Sequence, residues 1–392
     1  MTNVSHRVGV IGLLAAGVLA GVTACTGASH SATAAPSGPQ FTGRLIVETL
    51  DGELDQVTFG ADGTAVDKQL VAAPGTRVSG SSALVVAAAV SPDGTTLAYG
   101  AGKGLVLRNL KTGADTTLSP PDSAKASCVS WAPDGRHLAV GTADALYLSD
   151  DAGHMTSLYT VTSQAYAAGP IGSQGAPGYV YSSFTCGTWL NPTDLVFQQS
   201  GPFPAAISQN SSDTLPADTT TVATLRTGAA PITHNEPTQW SVLASCGSLA
   251  LIDSGINLYL VPDLSGDVTA AQATPPHARI ADGTTSTAFF RPGTCQPIVI
   301  EPPTTSAGNL DEVEEINPQT DRPGKSWQIP YIDIAGSPSP GQDDFLWGPR
   351  NSDTLAYIGT MQLALVNLDS GATMDLSSAL WTNAALLVGW TD

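Results

Sequence analysis

VSPDGTTLAY (residues 90–99) is followed 41 residues later by WAPDGRHLAV (residues 131–140). Each copy reads as the end of one strand, a tight turn and the start of an alternating apolar strand. Proline presets φ at the first turn position, aspartate can accept backbone N–H bonds within the turn, and glycine adopts conformations closed to other residues. The turn residues are Pro92, Asp93, Gly94, Pro133, Asp134 and Gly135. Self-similarity at this period is typical of a repeat architecture.

The strand-and-turn pattern continues along the chain with spacings of about 40 to 60 residues. A second apolar strand follows each turn, a third strand follows it, and a weaker fourth strand completes each unit. Four antiparallel strands per unit are the blade of a β-propeller. The sequence therefore predicts an all-β propeller over residues 41–392, with seven blades of four antiparallel strands; six or eight blades remain alternatives. The seven repeats centre on Val90, Trp131, Trp189, Val242, Phe290, Trp347 and Trp390.

The two ends of the propeller region each supply part of a blade. Leu45–Gly52 matches a third strand with its turn, and Leu386–Asp392 matches a first strand. Pairing these segments in one blade would close the ring and remove the open sheet edges that invite aggregation. We therefore expect the N-terminal and C-terminal strands to share one blade.

These repeats resemble the TolB-like, or PD40 (WD40-like), propeller repeats of bacterial envelope proteins. The resemblance is carried by Ser-Pro-Asp-Gly or a close variant, an apolar strand, and a later strand that ends in a turn with glycine. It is clearest at residues 90–113, 131–141 and 347–371. It implies a propeller fold in the cell envelope, and it implies no particular partner.

The N-terminus predicts export and lipid attachment. Residues 1–24 read as a signal peptide with a short polar start and an apolar run. The following residue, Cys25, ends a Val-Thr-Ala-Cys segment that resembles the lipobox of bacterial lipoproteins, which implies diacylation of Cys25. Residues 25–40 are small and polar, which is typical of a flexible tether. We expect an extracytoplasmic protein, lipid-anchored to the outer face of the cell membrane; an uncleaved membrane anchor is the alternative.

Four cysteines remain in the exported body: Cys128, Cys186, Cys246 and Cys295. An even number in an oxidising compartment predicts disulfides, and four cysteines allow three pairings. Cys128 and Cys186 each lie three residues before a repeat tryptophan, and the other two lie in or beside the turn of consecutive repeats. Equivalent positions of neighbouring repeats lie side by side, which favours the pairs Cys128–Cys186 and Cys246–Cys295.

Charge and motifs constrain the function further. Lysine and arginine total 15 against 34 aspartates and glutamates, a net charge of −19, and such an acidic body repels nucleic acids. We find no catalytic motif and predict no cofactor or metal. Residues 100–104 (GAGKG) predict a hairpin connection rather than a phosphate loop. The acidic run 311–315 predicts an exposed strand edge, with ion binding as the alternative.

Two long irregular segments, Asp150–Ser183 and Ser200–Thr221, interrupt the repeats and are candidates for binding loops or inert surface loops. The repeated tryptophans are expected to pack between blades, with sugar stacking as the alternative. We expect a non-enzymatic scaffold that binds an envelope protein or peptide. The alternative is an enzyme or carbohydrate-binding protein that uses the central channel, which would require several carboxylates or histidines to converge there.

Overall fold

The strands and turns of the propeller region are described by a computed structural model. It describes residues 43–49, 52–59, 65–73, 87–121, 125–142, 145–150, 153–160, 186–199, 219–226, 229–236, 241–247, 249–253, 257–262, 278–282, 287–291, 294–301, 310–317, 322–330, 345–347, 353–359, 362–369, 373–375 and 384–391. Throughout this part of the chain the regular elements are strands, and no helix is long and apolar enough to cross a membrane.

Short strands follow one another at the period of the repeats. The first eleven are β1 Arg44–Thr49, β2 Leu54–Phe59, β3 Ala65–Ala72, β4 Ala88–Val90, β5 Thr96–Ala101, β6 Gly104–Asn109, β7 Asp115–Leu118, β8 Cys128–Trp131, β9 Leu138–Gly141, β10 Ala145–Ser149 and β11 Met155–Thr160. The next eight are β12 Thr188–Trp189, β13 Asp194–Gln199, β14 Thr219–Arg226, β15 Ala229–Glu236, β16 Ser241–Cys246, β17 Leu249–Asp253, β18 Asn257–Pro262 and β19 Ala278–Asp282. The last nine are β20 Thr287–Arg291, β21 Gln296–Glu301, β22 Leu310–Asn317, β23 Arg322–Pro330, β24 Phe345–Trp347, β25 Thr354–Gly359, β26 Gln362–Asn367, β27 Thr373–Asp375 and β28 Ala384–Thr391.

The strands form four-stranded antiparallel sheets in which sequence neighbours are also spatial neighbours. Six sheets each contain four consecutive strands: sheet 2 (β4–β7), sheet 3 (β8–β11), sheet 4 (β12–β15), sheet 5 (β16–β19), sheet 6 (β20–β23) and sheet 7 (β24–β27). Sheet 1 has the order β28-β1-β2-β3 and so joins both ends of the region. The predicted all-β propeller is confirmed, with the first strand of each unit innermost.

The sheets follow one another around a ring. The inner strands β4 and β8, β12 and β16, β16 and β20, β24 and β28, and β28 and β4 lie against one another. A disulfide joins sheets 3 and 4, and apolar side chains of sheets 6 and 7 share one cluster. The hydrophobic core is therefore divided among the junctions between neighbouring sheets.

The C-terminal strand closes the ring as predicted, as the first strand of its sheet, but the N-terminal segment takes a different strand position. β28 pairs directly with β1, with Arg44 opposite Thr391 and Leu45 opposite Trp390. Leu45–Gly52 therefore begins with the second strand of sheet 1, and its assignment as a third strand was wrong. Second and third strands share the same apolar alternation, and only the pairing partner distinguishes them.

Sheet 1 buries more polar groups than its apolar strands suggest. Glu48 and Asp55 are 0% and 2% exposed, and the Gln56 side chain donates from Nε2 to Oγ1 of Thr391 at 3.2 Å. Lys68 Nζ lies 2.7 Å from Oδ2 of Asp55. Because a buried polar group must keep its partner, these contacts oppose a slip of one strand past the next.

Sheets 1 and 2 approach closely at one glycine. A Cβ atom at Gly389 in β28 would lie 2.4 Å from Cβ of Val90 in β4. Any larger residue would force the two inner strands apart, so the close packing of this junction depends on glycine here.

Candidate functional site

Antiparallel alternation gives the ring two unlike faces. We call one the tight-turn face: it carries the connections from first to second strands and from third to fourth strands. The opposite, long-connection face carries those from second to third strands and from fourth strands to the next inner strand. Four of the five longest connections join strand ends at the long-connection face, namely 73–87, 161–187, 200–218 and 331–344; the fifth, 263–277, joins strand ends at the tight-turn face.

The repeated Pro-Asp-Gly segments form the tight turns that the sequence predicts. Asp93 Oδ1 accepts from the Thr95 amide at 3.1 Å and from the Ser91 hydroxyl at 2.5 Å. Asp134 Oδ1 accepts from the Arg136 amide at 2.9 Å. The glycines take φ values of 74° and 70°, in the left-handed region that favours glycine. Partial burial raises the pKa of Asp93, but the hydrogen bonds from Ser91 and Thr95 outweigh it and hold that pKa below its usual value.

Asp-Gly pairs also occur in calcium-binding loops, so the surroundings of these aspartates matter. Among the residues that the structure describes, no group of three or more His, Cys, Asp or Glu side chains is arranged to hold a metal ion. The aspartates act on their own turns, which is the structural role predicted for them.

Sheet 3 carries two histidine–aspartate pairs at the tight-turn face that the sequence did not reveal. His137 Nδ1 lies 3.3 Å from Asp134 Oδ2, and His154 Nδ1 lies 3.1 Å from Asp150 Oδ2. The two turns are neighbours because Leu138 pairs with Ser149. Each imidazole contacts the aspartate of its own turn, so both pairs support turn geometry.

The densest charge cluster of the described residues surrounds Arg291, at the junction of sheets 6 and 7. Its Nη1 lies 2.7 Å from Glu315 Oε1, and its Nη2 contacts Asp353 Oδ1 and lies 3.0 Å from Asp369 Oδ1. The Arg291 side chain is only 14% exposed. Hydrogen bonding with Asp353 and with the Arg291 guanidinium holds the pKa of Asp369 below its usual value, and the charges of Arg291 and Lys325 act in the same direction. We refer to Arg291, Glu315, Asp353 and Asp369 as the Arg291 cluster.

The Arg291 cluster corrects the prediction for the acidic run 311–315. This run lies in β22, a third strand paired on both sides rather than an exposed edge. Glu312 is exposed, whereas Glu314 and Glu315 are half-buried and Glu315 pairs with Arg291. Arg291 occupies the position of Ser91 and Ala132 in the other repeats, and a charged residue at that position was the available signal.

The repeated tryptophans connect neighbouring sheets. Trp131 Nε1 donates to the Ala89 carbonyl at 3.1 Å, and Trp189 Nε1 donates to the Ser130 carbonyl at 3.2 Å. Trp189 and Trp390 are 5% and 7% exposed, which leaves no open ring face for sugar stacking. Packing between blades is therefore confirmed for Trp131 and Trp189, while the Trp347 side chain lies outside the described residues. Trp390 contacts Phe59 of its own sheet, and its buried Nε1 has no hydrogen-bond partner among the described residues.

Both disulfides join the pairs that the repeats favour. Cys128 and Cys186 have Cα atoms 5.6 Å apart at the long-connection face, and Cys246 and Cys295 have Cα atoms 5.3 Å apart at the tight-turn face. The first links sheets 3 and 4, and the second links sheets 5 and 6. Cys186 lies two residues before β12, so its disulfide fixes the start of this inner strand to the neighbouring sheet.

The glycine-rich segment 100–104 is a hairpin connection, as predicted. Ala101 pairs with Gly104 across a two-residue turn between β5 and β6. A phosphate loop would need a helix to begin after it, and β6 begins instead. Lys103 is exposed and lies in this hairpin, so it is located at the long-connection face.

The two predicted insertions begin and end in regular structure. Asp150–His154 is a tight turn and Met155–Thr160 is β11, so the first insertion starts later than predicted. Thr219 begins β14, so the second ends earlier. The remaining parts, 161–185 and 200–218, lie outside the described residues. The same holds for residues 1–40, which include the predicted signal peptide, Cys25 and the tether.

The chain is similar to several solved structures at low sequence identity. An oligogalacturonate lyase in complex with manganese is 12% identical, with a TM-score of 0.50 over 88% of this chain and 89% of that chain. A functionally unknown protein from Desulfotomaculum acetoxidans is 11% identical, with a TM-score of 0.51 over 90% and 100%. The β-propeller domain of Cps50 (Swd1) from Myceliophteria thermophila is 13% identical, with a TM-score of 0.44 over 75% and 86%.

At these identities the likeness shows the fold alone, and a propeller hosts many functions. No protein-family model matches the chain, and no curated protein matches it in sequence. The comparisons thus confirm a β-propeller fold.

Proposed function

We propose that this chain is a membrane-anchored extracytoplasmic lipoprotein with a TolB-like propeller, and that the propeller is a non-enzymatic scaffold for an envelope protein or peptide. The observation that carries the proposal is that the strand ends joined by four of the five longest connections lie at one face of a closed ring. Rigid scaffolds commonly place their recognition residues on such connections.

The closure of the ring supports a role in presentation. β28 pairs with β1, and two disulfides fix the junctions of sheets 3 and 4 and of sheets 5 and 6. Strand ends held in this way keep fixed positions, so a partner would meet a preorganised surface and less ordering entropy would be lost on binding.

The disulfides also support an extracytoplasmic location. Stable disulfides form in oxidising compartments, and they are rare in the cytosol of most organisms. The predicted signal peptide and the Cys25 lipid site would deliver the chain to such a compartment. Two acyl chains at Cys25 would provide stable membrane anchoring, which a single chain does not.

The anchor is tested by the substitution Cys25→Ser in the full chain. We expect the variant to move from the membrane fraction to the soluble fraction, while the neighbouring control Thr26→Ser stays in the membrane fraction. Cell fractionation with immunoblotting measures both. Retention of the Cys25→Ser variant in the membrane fraction would contradict lipid anchoring.

The scaffold role is tested by immobilising the Cys25→Ser chain through one face at a time. Lys103→Cys and Lys111→Cys place a thiol for biotinylation at opposite ends of β6, at the long-connection face and the tight-turn face respectively. Attachment through residue 111 should capture an envelope protein, identified by mass spectrometry, and attachment through residue 103 should block capture. Equal capture in both orientations would contradict a binding role of the long-connection face.

A further inference from the structure

The point where the chain enters the propeller lies at the tight-turn face. Arg44, the first residue of β1, pairs with Thr391, the last residue of β28. The ends of inner strands such as β28 lie beside the tight turns, as Trp131 does before the turn of Asp134. Residues 25–42 would therefore join the ring at this face, opposite most of the long connections.

We infer that the tight-turn face lies toward the membrane and that the long-connection face points away from it, toward partners that approach from outside the membrane plane. This inference rests on the lipid anchor of the proposed function. It goes further, because an anchor alone does not fix which face a partner can reach.

The length of the tether supports this orientation. Residues 25–42 would have a root-mean-square reach of roughly 20–25 Å as a flexible coil. A six-residue strand such as β6 is about 20 Å long, which approximates the height of the ring. To bring the long-connection face to the membrane, the tether would have to span this height and pass around the rim. That path requires an extended chain, so it is disfavoured by conformational entropy.

The orientation is tested by fluorescence energy transfer with the full lipidated chain in neutral phosphatidylcholine vesicles. A donor dye is attached at Lys103→Cys or at Lys111→Cys, and acceptor dyes are placed on the headgroups. These lysines are exposed and lie just beyond the two ends of β6. We expect the donor at residue 111 to lie closer to the membrane, by up to about 20 Å, than the donor at residue 103.

Each outcome decides a different claim. If the vesicle-bound protein shows equal transfer from both sites, or stronger transfer from residue 103, the inferred orientation is wrong while the anchor stands. If the full chain does not bind vesicles and behaves like its Cys25→Ser variant, the anchor fails and the orientation falls with it.

A second measurement uses the native Lys103 and Lys111, so it does not depend on whether the Lys103→Cys and Lys111→Cys variants fold. A bulky amine-reactive polyethylene glycol ester is applied to the vesicle-bound chain and to the soluble Cys25→Ser variant, and modification is quantified by peptide mass spectrometry. We expect membrane binding to protect Lys111 severalfold more than Lys103. Equal protection of both lysines would overturn the orientation.

Discussion

Two junctions of the ring hold neighbouring sheets together by different chemistry. Between sheets 3 and 4, apolar side chains surround the Cys128–Cys186 disulfide, and Trp189 donates to the Ser130 carbonyl. Between sheets 6 and 7, apolar side chains again fill the interface, but the Arg291 cluster takes the place of the covalent link.

The comparison shows that the repeats supply a common apolar core, while each junction is secured by its own additional contact. A disulfide does not respond to proton concentration in the acid range, whereas an arginine–carboxylate cluster loses its charge pairing when the carboxylates are protonated. The junction of sheets 6 and 7 is therefore the one whose strength we expect to vary with pH and salt.

The largest expected effect is the loss of the covalent link. The double substitution Cys128→Ser with Cys186→Ser should lower the free energy of unfolding by about 2–4 kcal/mol, because the unfolded chain regains the entropy of an open loop. Urea unfolding under non-reducing conditions measures the loss. The matched control, Cys246→Ser with Cys295→Ser, opens a loop of similar length and should cost a similar amount. A loss no larger than that of an ordinary surface substitution would show that this disulfide does not secure its junction.

Removing the guanidinium should have the next largest effect. Arg291→Met keeps an apolar stem but leaves Glu315, which is 15% exposed, without its partner. We expect a loss of about 1–3 kcal/mol, since the other carboxylates of the cluster are partly solvated. The stability of Arg291→Lys should lie between those of the native chain and Arg291→Met, because one ammonium group cannot make the paired hydrogen bonds of the planar guanidinium. Thermal unfolding of the three proteins checks this order, and a methionine variant as stable as the native chain would contradict it.

Acidic pH should weaken the junction of sheets 6 and 7 but not the disulfide-linked junction of sheets 3 and 4. Because the pKa of Asp369 in the folded protein lies below its usual value, its contribution to stability is present above pH about 3.9 and is lost as the pH falls through the folded-state pKa. In Arg291→Met this contribution should shrink, so the unfolding free energy should fall less steeply below pH 4. Urea titrations at several pH values would refute the role of the cluster if the two proteins gave parallel curves.

The smallest expected effect concerns single hydrogen bonds of the tryptophans. Trp189→Phe would leave the Ser130 carbonyl without its donor, whereas Trp390→Phe removes a buried N–H that has no partner in the described part of the chain. Both substitutions remove a similar volume, so Trp189→Phe should be the more costly by about 1 kcal/mol. Equal losses in chemical unfolding would show that the Trp189 bond adds nothing beyond packing.

Local repetition explains what the sequence could predict. The Pro-Asp-Gly turns, the inner and second strands and both disulfide pairs repeat a pattern that is visible within each unit or between adjacent units. Closure by β28 was predictable because each chain end carries an incomplete unit. The position of Leu45–Thr49 within its sheet was not predictable, since second and third strands have the same alternation of apolar residues and differ only in the strands they pair with.

Contacts between distant residues explain what the sequence could not show. Arg291 meets Glu315 from 24 residues away, and Asp369 from 78 residues away on the next sheet. Such a cluster depends on the ring, because no local pattern brings these groups together. The grouping of four long connections at one face likewise follows from strand order and is not visible in any single segment.

The two faces, the junctions between sheets and the inferred orientation all depend on closure of the ring by the C-terminal strand. It is tested most directly by mild oxidation of a chain carrying Arg44→Cys and Thr391→Cys, followed by non-reducing peptide mapping. Residues that face each other on antiparallel strands have Cα atoms about 4.5–5.5 Å apart, within the range of a disulfide. We predict a 44–391 link in the folded protein and none in urea or in the control pair Lys68→Cys with Thr391→Cys. Free thiols at both positions of the folded protein would contradict the closure.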